Sequence, residues 1–213
     1  MSSAREAILG RIRQAVESQP MPREANYGSI VREYYQGPRL SDEERLQLFE
    51  ERLRDYDAAV YRCREAEVAS TVERALYSRA KRSVLIPKGL PQSWLPSSLE
   101  FHADNDLSYD DLDQSQGVLT GCALGIAVTG TIVLRHSNSD GRRALTLIPD
   151  YHLCVIRSHQ VVETVVEGIR KMDEFGTAPL TTVSGPSATA DIEMTRIKGV
   201  HGPRTLDVIL VED

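Results

Sequence analysis

Paired cysteines are missing from this chain. Cys63, Cys122 and Cys154 lie far apart among 213 residues, with no C-x-x-C between them. The local ligand sets of a zinc site or an iron–sulfur cluster are therefore lacking, and an odd, dispersed thiol count suits a reducing compartment. No apolar run approaches the roughly 18 residues of a membrane span. The opening "MSSAREAILGRIRQAV" alternates charge and aliphatics instead of supplying the apolar stretch of a signal peptide, so a cytoplasmic protein is expected. Neither G-x-G-x-x-G nor a Walker-type phosphate loop occurs, and neither dinucleotide nor triphosphate binding is indicated.

Positive charge is also scarce where it would matter for nucleic acid. The net charge is −6. Residues 1–82 hold 15 basic and 14 acidic side chains, whereas residues 83–213 hold 10 and 17. An acidic C-terminal region lacks the basic footprint of a nucleic-acid binder. What remains, 41% hydrophobic and 26% charged residues, is ordinary for a globular chain long enough to bury a core unaided.

Periodicity divides the chain at residue 82. Over 3–18, Ala7, Ile8, Ile12, Ala15 and Val16 recur at helical spacing, ending at Pro20. The segment "NYGSIVREYYQGP" reads as a connecting arm. Ser41 with Glu44 forms a capping box, and the spacing predicts a helix from there to about Cys63, followed by another over 64–80. Residues 1–82 are thus expected to be a helical N-terminal region, and 83–213 an α/β domain. In the latter, strands are predicted at 83–87, 99–104 and 151–157, in two or three pieces over 117–136, at 180–184 and at the C-terminus. A hairpin is expected over 131–149 with Asp140-Gly141 in its turn, a helix over 160–176 with Gly176 at its C-cap, and a short helix over 187–196. Alternating strands and helices indicate a layered α/β fold with a mostly parallel sheet.

The chemistry-bearing residues gather in three loops rich in Gly, Ser and Thr. "SGPSATADIE" leaves the 180–184 strand. Gly185 allows close approach there, Ser187 or Thr189 suits a helix N-cap, and Asp191 and Glu193 suit its first turn. "GVHGP" holds His201 in a tight loop, where an imidazole can act as acid, base or anion ligand near neutral pH. "TGT" supplies Thr129, Gly130 and Thr131 at a strand entry. These residues define a candidate small-anion pocket: His201 and Asp191 in catalytic positions, and Thr129, Gly130, Thr131, Ser184, Gly185, Ser187 and Thr189 as ligand contacts. A capped strand–helix junction without a ligand would use many of the same residues. His136 and His152 are weaker candidates.

The order "TGTIVL" (129–134), "LIPDYHLCVI" (147–156), "SGPSATADIE" (184–193) and "GVHGPRTLDVILVED" (199–213) resembles the lactate-utilisation protein C family, with its LUD domain. The likeness covers roughly residues 80–213, and its last two motifs are the specific ones. It implies a three-layer Rossmann-like fold akin to sugar-phosphate isomerases and CoA transferases. It also implies a role, alongside iron–sulfur partner proteins, in oxidising L-lactate to pyruvate, with no iron–sulfur cluster in this chain. Val128 departs from relatives that carry an acid before the TGT motif. Two other readings stay open on the residues alone: a stand-alone enzyme on a phosphorylated or acyl small molecule, and a non-catalytic ligand-sensing or scaffold module.

Overall fold

The computed structural model describes residues 4–18, 31, 33, 37–190, 196–198 and 202–212. It divides into two compact units, Met1–Tyr34 and Tyr35–Asp213. The first contains helix α1 (Ala4–Ser18), on which Ile8, Leu9 and Ile12 are exposed. Most of the expected "NYGSIVREYYQGP" arm lies outside the described residues.

The second unit is built on a six-stranded sheet, parallel at every pairing. Its strands are β1 (Ala59–Arg64), β2 (Ser83–Ile86), β3 (Glu100–Ala103), β4 (Val118–Thr120), β7 (Tyr151–Arg157) and β12 (Thr205–Glu212), in the order β1-β12-β7-β4-β2-β3. Side chains on a strand alternate between faces, and β7 and β12 bury both sets. Cys154, Ile156, Val208 and Leu210 pack with Leu46, Phe49 and Leu53 of helix α2 (Asp42–Asp55). Leu153, Val155, Ile209 and Val211 pack with Val68, Val72, Ala75 and Leu76 of helix α3 (Val68–Ser78) on the other face. Near-continuous apolar strands are what burial on both faces demands.

A second sheet adds to the α2 layer. Its strands are β5 (Leu124–Ile126), β6 (Thr131–Leu134), β8 (Val161–Val162) and β9 (Thr181–Ser184), in the order β8-β5-β6-β9. Only β5 and β8 run parallel; β6 is antiparallel to both β5 and β9. Two short helices, α4 (Tyr109–Asp113) and α5 (Val165–Asp173), begin at capping boxes formed by Ser108 with Asp111 and Thr164 with Glu167. Strands β10 (Ala188–Ala190) and β11 (Arg196–Lys198) pair antiparallel by themselves. The α/β class and the mostly parallel sheet agree with expectation.

Four local expectations are corrected. The helix predicted to reach Cys63 stops at Asp55, where Tyr56 caps it and Asp57 turns with φ 65°. The following residues form β1, because the ladder with β12, from Ala59↔Asp207 to Arg64↔Glu212, outweighs helix propensity there. The hairpin over 131–149 is absent. Asp140, 1% exposed, accepts from the Arg135 N–H at 2.8 Å and closes the loop on itself, and Arg143–Thr146 makes a 3₁₀ turn. The helix expected over 187–196 is contradicted at both described ends, since Ala188–Ala190 pairs with Arg196–Lys198. The helix expected from 160 starts at Val165, because Val161–Val162 is taken by pairing with β5; Gly176, two residues past its cap Glu174, adopts φ 64°.

Candidate functional site

Strand β9 reaches Ser184 opposite Thr131 in the β6 ladder. This register brings two of the sequence's Gly/Ser/Thr loops together. Thr129 Oγ1 lies 2.7 Å from Thr131 Oγ1, which lies 2.8 Å from Ser184 Oγ, a chain of three hydroxyls. Gly130 sits between the threonines in left-handed geometry, φ 57°, and a Cβ there would strike Arg52 of α2. Only glycine satisfies both demands. Beyond Ser184 the chain turns at Gly185, φ 80°, where a Cβ would run into the Tyr56 side chain. The Ser187 N–H then donates to the Pro203 carbonyl at 2.8 Å, joining this loop to the approach to β12.

These segments wall a cavity of about 230 Å³. One side is Thr181 to Ser187, with Gly202 and Pro203; the other is Arg143, Thr146, His152 and Leu206. His152 and Leu206 are the second residues of β7 and β12. The cavity therefore adjoins the amino ends of these parallel strands, together with the carboxyl end of β9. The two kinds of strand end meet here because β9 belongs to the second sheet, where it runs antiparallel to β6. A cavity of about 250 Å³ does adjoin the carboxyl ends of β2 and β3, lined by Lys88, Asp104, Asp106, His136 and Arg142 among others.

Electrostatics distinguish the first cavity. Of the two adjacent arginines, Arg142 is fully engaged: it forks onto Asp104 at 2.7 and 3.0 Å and reaches the Leu107 carbonyl at 2.6 Å. The Arg143 guanidinium has no hydrogen-bond or ion-pair partner among the described residues, although it is partly buried and burial lowers its pKa. His152 is 2% exposed and hydrogen-bonds through Nε2 to Thr120 Oγ1 at 2.8 Å. Burial, helped by the positive charge of Arg143, pushes the imidazole pKa down to about 4, so it is neutral at physiological pH. A cation without a partner among the described residues, a neutral imidazole and several hydroxyls, beside Val183 and Leu206, suit a small anion with an apolar end.

Of the residues singled out from sequence, Ser184, Gly185 and Ser187 line this cavity. Thr129, Gly130 and Thr131 stand behind it, linked through Ser184. Thr189 lies on β10, a strand position instead of a helix cap. Asp191 and His201 lie outside the described residues. Val128 is 38% exposed, and its N–H donates to the Glu163 carbonyl. Arg143 and Thr146 were not singled out; the only sequence signal was an Arg-Arg pair after a turn, which does not tell which arginine is free. Among the described residues no three His, Cys, Asp or Glu side chains are grouped to hold a metal ion, and no helix is long and apolar enough to cross a membrane.

The LUD domain family model matches residues 92–211. The chain belongs to the LUD domain family. It is 46% identical over 175 residues, 81% of this chain and 82% of the other, to the lactate utilization protein C of Deinococcus radiodurans. It is 32% identical over 121 residues, 54% of this chain and 52% of the other, to the lactate utilization protein C of Shouchella clausii. The crystal structure of a DUF162 family protein from Deinococcus radiodurans superposes with a TM-score of 0.71 at 42% identity, covering 81% of this chain and 99% of that one. The matched LUD domain region contains Arg143, His152, Ser184 and Ser187, so the cavity is part of the domain itself.

Proposed function

We propose that this protein is a cytoplasmic component of a lactate-utilisation system, in which L-lactate is oxidised to pyruvate together with iron–sulfur partner proteins. Its cavity between the 184–187 loop and the 143–152 segment binds a small anion of that system. The relatives' name supports the pathway, and the observation that carries the site is the Arg143 guanidinium, without a partner among the described residues and set among hydroxyls. Leaving a partly buried cation uncompensated is costly, and an anionic ligand removes the cost when it binds.

In this reading lactate loses two electrons and two protons to become pyruvate, and the electrons pass to the iron–sulfur partners. This chain contributes the pocket that holds the anion. The test is deletion of the gene in a strain without another lactate dehydrogenase, with an affinity-tagged copy returned in trans. Growth on L-lactate should be lost on deletion and restored by the copy, and iron–sulfur proteins should co-purify with it. Normal growth of the deletion strain on L-lactate contradicts the proposal.

A further inference from the structure

The cavity at Arg143 adjoins the amino ends of β7 and β12, which leaves the opposite edge of the parallel sheet without a role. Ligands of such sheets ordinarily bind outside the carboxyl ends of the strands, where the chain leaves two neighbouring strands in opposite directions. Here those neighbours are β2 and β4. From β2 the chain runs outward to β3 at the sheet edge; from β4 the next strand it adds to this sheet is β7, on the other side. The 136–142 loop lies over this point. The Gly89 N–H, just beyond β2, donates to the Asn138 carbonyl at 2.8 Å, and the Gly121 N–H, just beyond β4, donates to the Ser139 carbonyl at 3.0 Å. The cavity of about 250 Å³ is enclosed between this loop and the chain following β2 and β3.

We infer that this cavity is a second ligand site, separate from the one at Arg143, and that it takes a small polar zwitterion of the free α-amino acid type. The inference stands independently of the anion reading above.

The backbone marks the site. Asp106, His136 and Gly141 all line it, and all three adopt left-handed geometry, with φ of 60°, 54° and 74°. Glycine does so freely, whereas Asp and His do so at a cost. Such conformations gather at ligand clamps and persist where the surroundings hold them. His136 is held by its ring: Nδ1 lies 3.2 Å from the Gly141 carbonyl and Nε2 lies 2.8 Å from the Thr181 hydroxyl. With both nitrogens engaged, this imidazole is wall and not ligand contact. The Asp106 side chain makes no hydrogen bond or ion pair among the described residues, so no internal contact of that kind offsets its backbone strain.

Charge sets the class of ligand. Among the described lining residues, Arg142 and Asp104 neutralise each other through their fork at 2.7 and 3.0 Å. The Lys88 ammonium and the Asp106 carboxylate remain. Both are exposed, and neither makes a hydrogen bond or an ion pair among the described residues, with each other included. Two opposite charges that face one cavity without pairing match a ligand that carries one of each. A phosphate dianion would meet one available cation and be repelled by Asp106. A divalent cation would find one available carboxylate and an ammonium beside it, where such ions take several oxygen ligands. A neutral sugar would answer neither charge. Ser137 and Asn138 add polar groups to the same wall, which suits an amino acid with a small polar side chain. The volume is below the roughly 300–1,000 Å³ of pockets for drug-sized ligands.

The test is isothermal titration of the purified full-length protein with glycine, L-serine and L-asparagine. N-acetylglycine, which lacks the ammonium, glycinamide, which lacks the carboxylate, glucose and inorganic phosphate are the comparison ligands. All are repeated on Lys88→Gln and Asp106→Asn. Both replaced side chains are exposed, and Asn tolerates left-handed backbone, so the variants keep the fold. At least one of the three amino acids should bind saturably at one site. N-acetylglycine, glycinamide, glucose and phosphate should each bind about tenfold more weakly or worse. K88Q and D106N should each lose about tenfold or more in affinity for the amino acid, the scale of one charge-assisted hydrogen bond. No saturable binding of any of the three amino acids would overturn the inference. So would phosphate or glucose binding as tightly as the best amino acid, or unchanged amino-acid affinity in either variant.

Discussion

The hydroxyls of Thr131 and Ser184 meet at 2.8 Å across the β6–β9 ladder, although 53 residues separate them in the chain. This contact fixes the strand end from which the cavity loop departs. Thr131 is 7% exposed, so Thr131→Val leaves the Ser184 hydroxyl without its partner while keeping the shape. The expected cost is about 0.5–1.5 kcal/mol in urea unfolding, the usual net value of one hydrogen bond.

Gly185 is the pivot of the same loop. Its φ of 80° and its approach to Tyr56 leave no room for a Cβ. Gly185→Ala should destabilise the protein by about 1–3 kcal/mol through backbone strain and should move Ser187 away from the Pro203 carbonyl. Thermal unfolding and ligand titration check the two effects together; loss of binding without loss of stability would place the strain elsewhere.

His152 makes stability depend on pH with a definite sign. Its folded-state pKa lies near 4, below the 6.5 of an unfolded imidazole, so between these values the unfolded chain binds the extra proton. The contribution is complete above pH 6.5 and is lost as pH falls toward 4. At roughly 1.4 kcal/mol per unit, the loss is on the order of 3 kcal/mol. Carboxylates add their own acid sensitivity; the difference between the parent and His152→Asn isolates the imidazole. Urea unfolding at pH 7 and pH 4.5 should show a shallower fall in the variant, and equal falls would contradict the buried neutral state.

Asp207 is completely buried, forks onto Arg79 at 2.9 and 2.7 Å and accepts from the Tyr151 hydroxyl at 3.0 Å. The two ends of this pair differ in access to water, because the Arg79 side chain is 37% exposed. Arg79→Ala strands a buried carboxylate and should cost about 3–5 kcal/mol. Asp207→Ala lets the guanidinium rehydrate and mainly orphans Tyr151, at about 1–3 kcal/mol. Chemical denaturation of both variants should give this order; the reverse order would contradict it.

Glu163 holds the entry to α2. Its carboxylate, 7% exposed, accepts from the N–H groups of Arg39 and Leu40 at 2.6 and 2.8 Å. Glu163→Ala should cost about 1.5–3 kcal/mol, the range for a charged hydrogen bond, and should speed tryptic cleavage after Arg39. An unchanged cleavage rate would show that other contacts hold the segment.

The parallel sheet was legible because its strands announce themselves locally. "SVLI", "YHLCVIR" and "TLDVILVE" are apolar runs bounded by turns, and both faces of the last two are buried. β1 was not legible: "AVYRCR" carries three charged or hydroxylated side chains, and only its ladder with β12 makes it a strand. The 131–149 hairpin misled because Asp-Gly is a hairpin signal, whereas here the Asp140 carboxylate serves the Arg135 N–H. Within the cavity, Ser184, Gly185 and Ser187 were legible from turn chemistry. Arg143 was not, because the distinction between two neighbouring arginines rests on where Asp104 lies, almost forty residues earlier in sequence.

The most direct measurement is growth on L-lactate as sole carbon source of a deletion strain complemented either with the parent gene or with Arg143→Gln, with both proteins confirmed at equal abundance. The parent should restore growth and R143Q should not. Equal restoration by R143Q would contradict a role for this cavity in lactate utilisation.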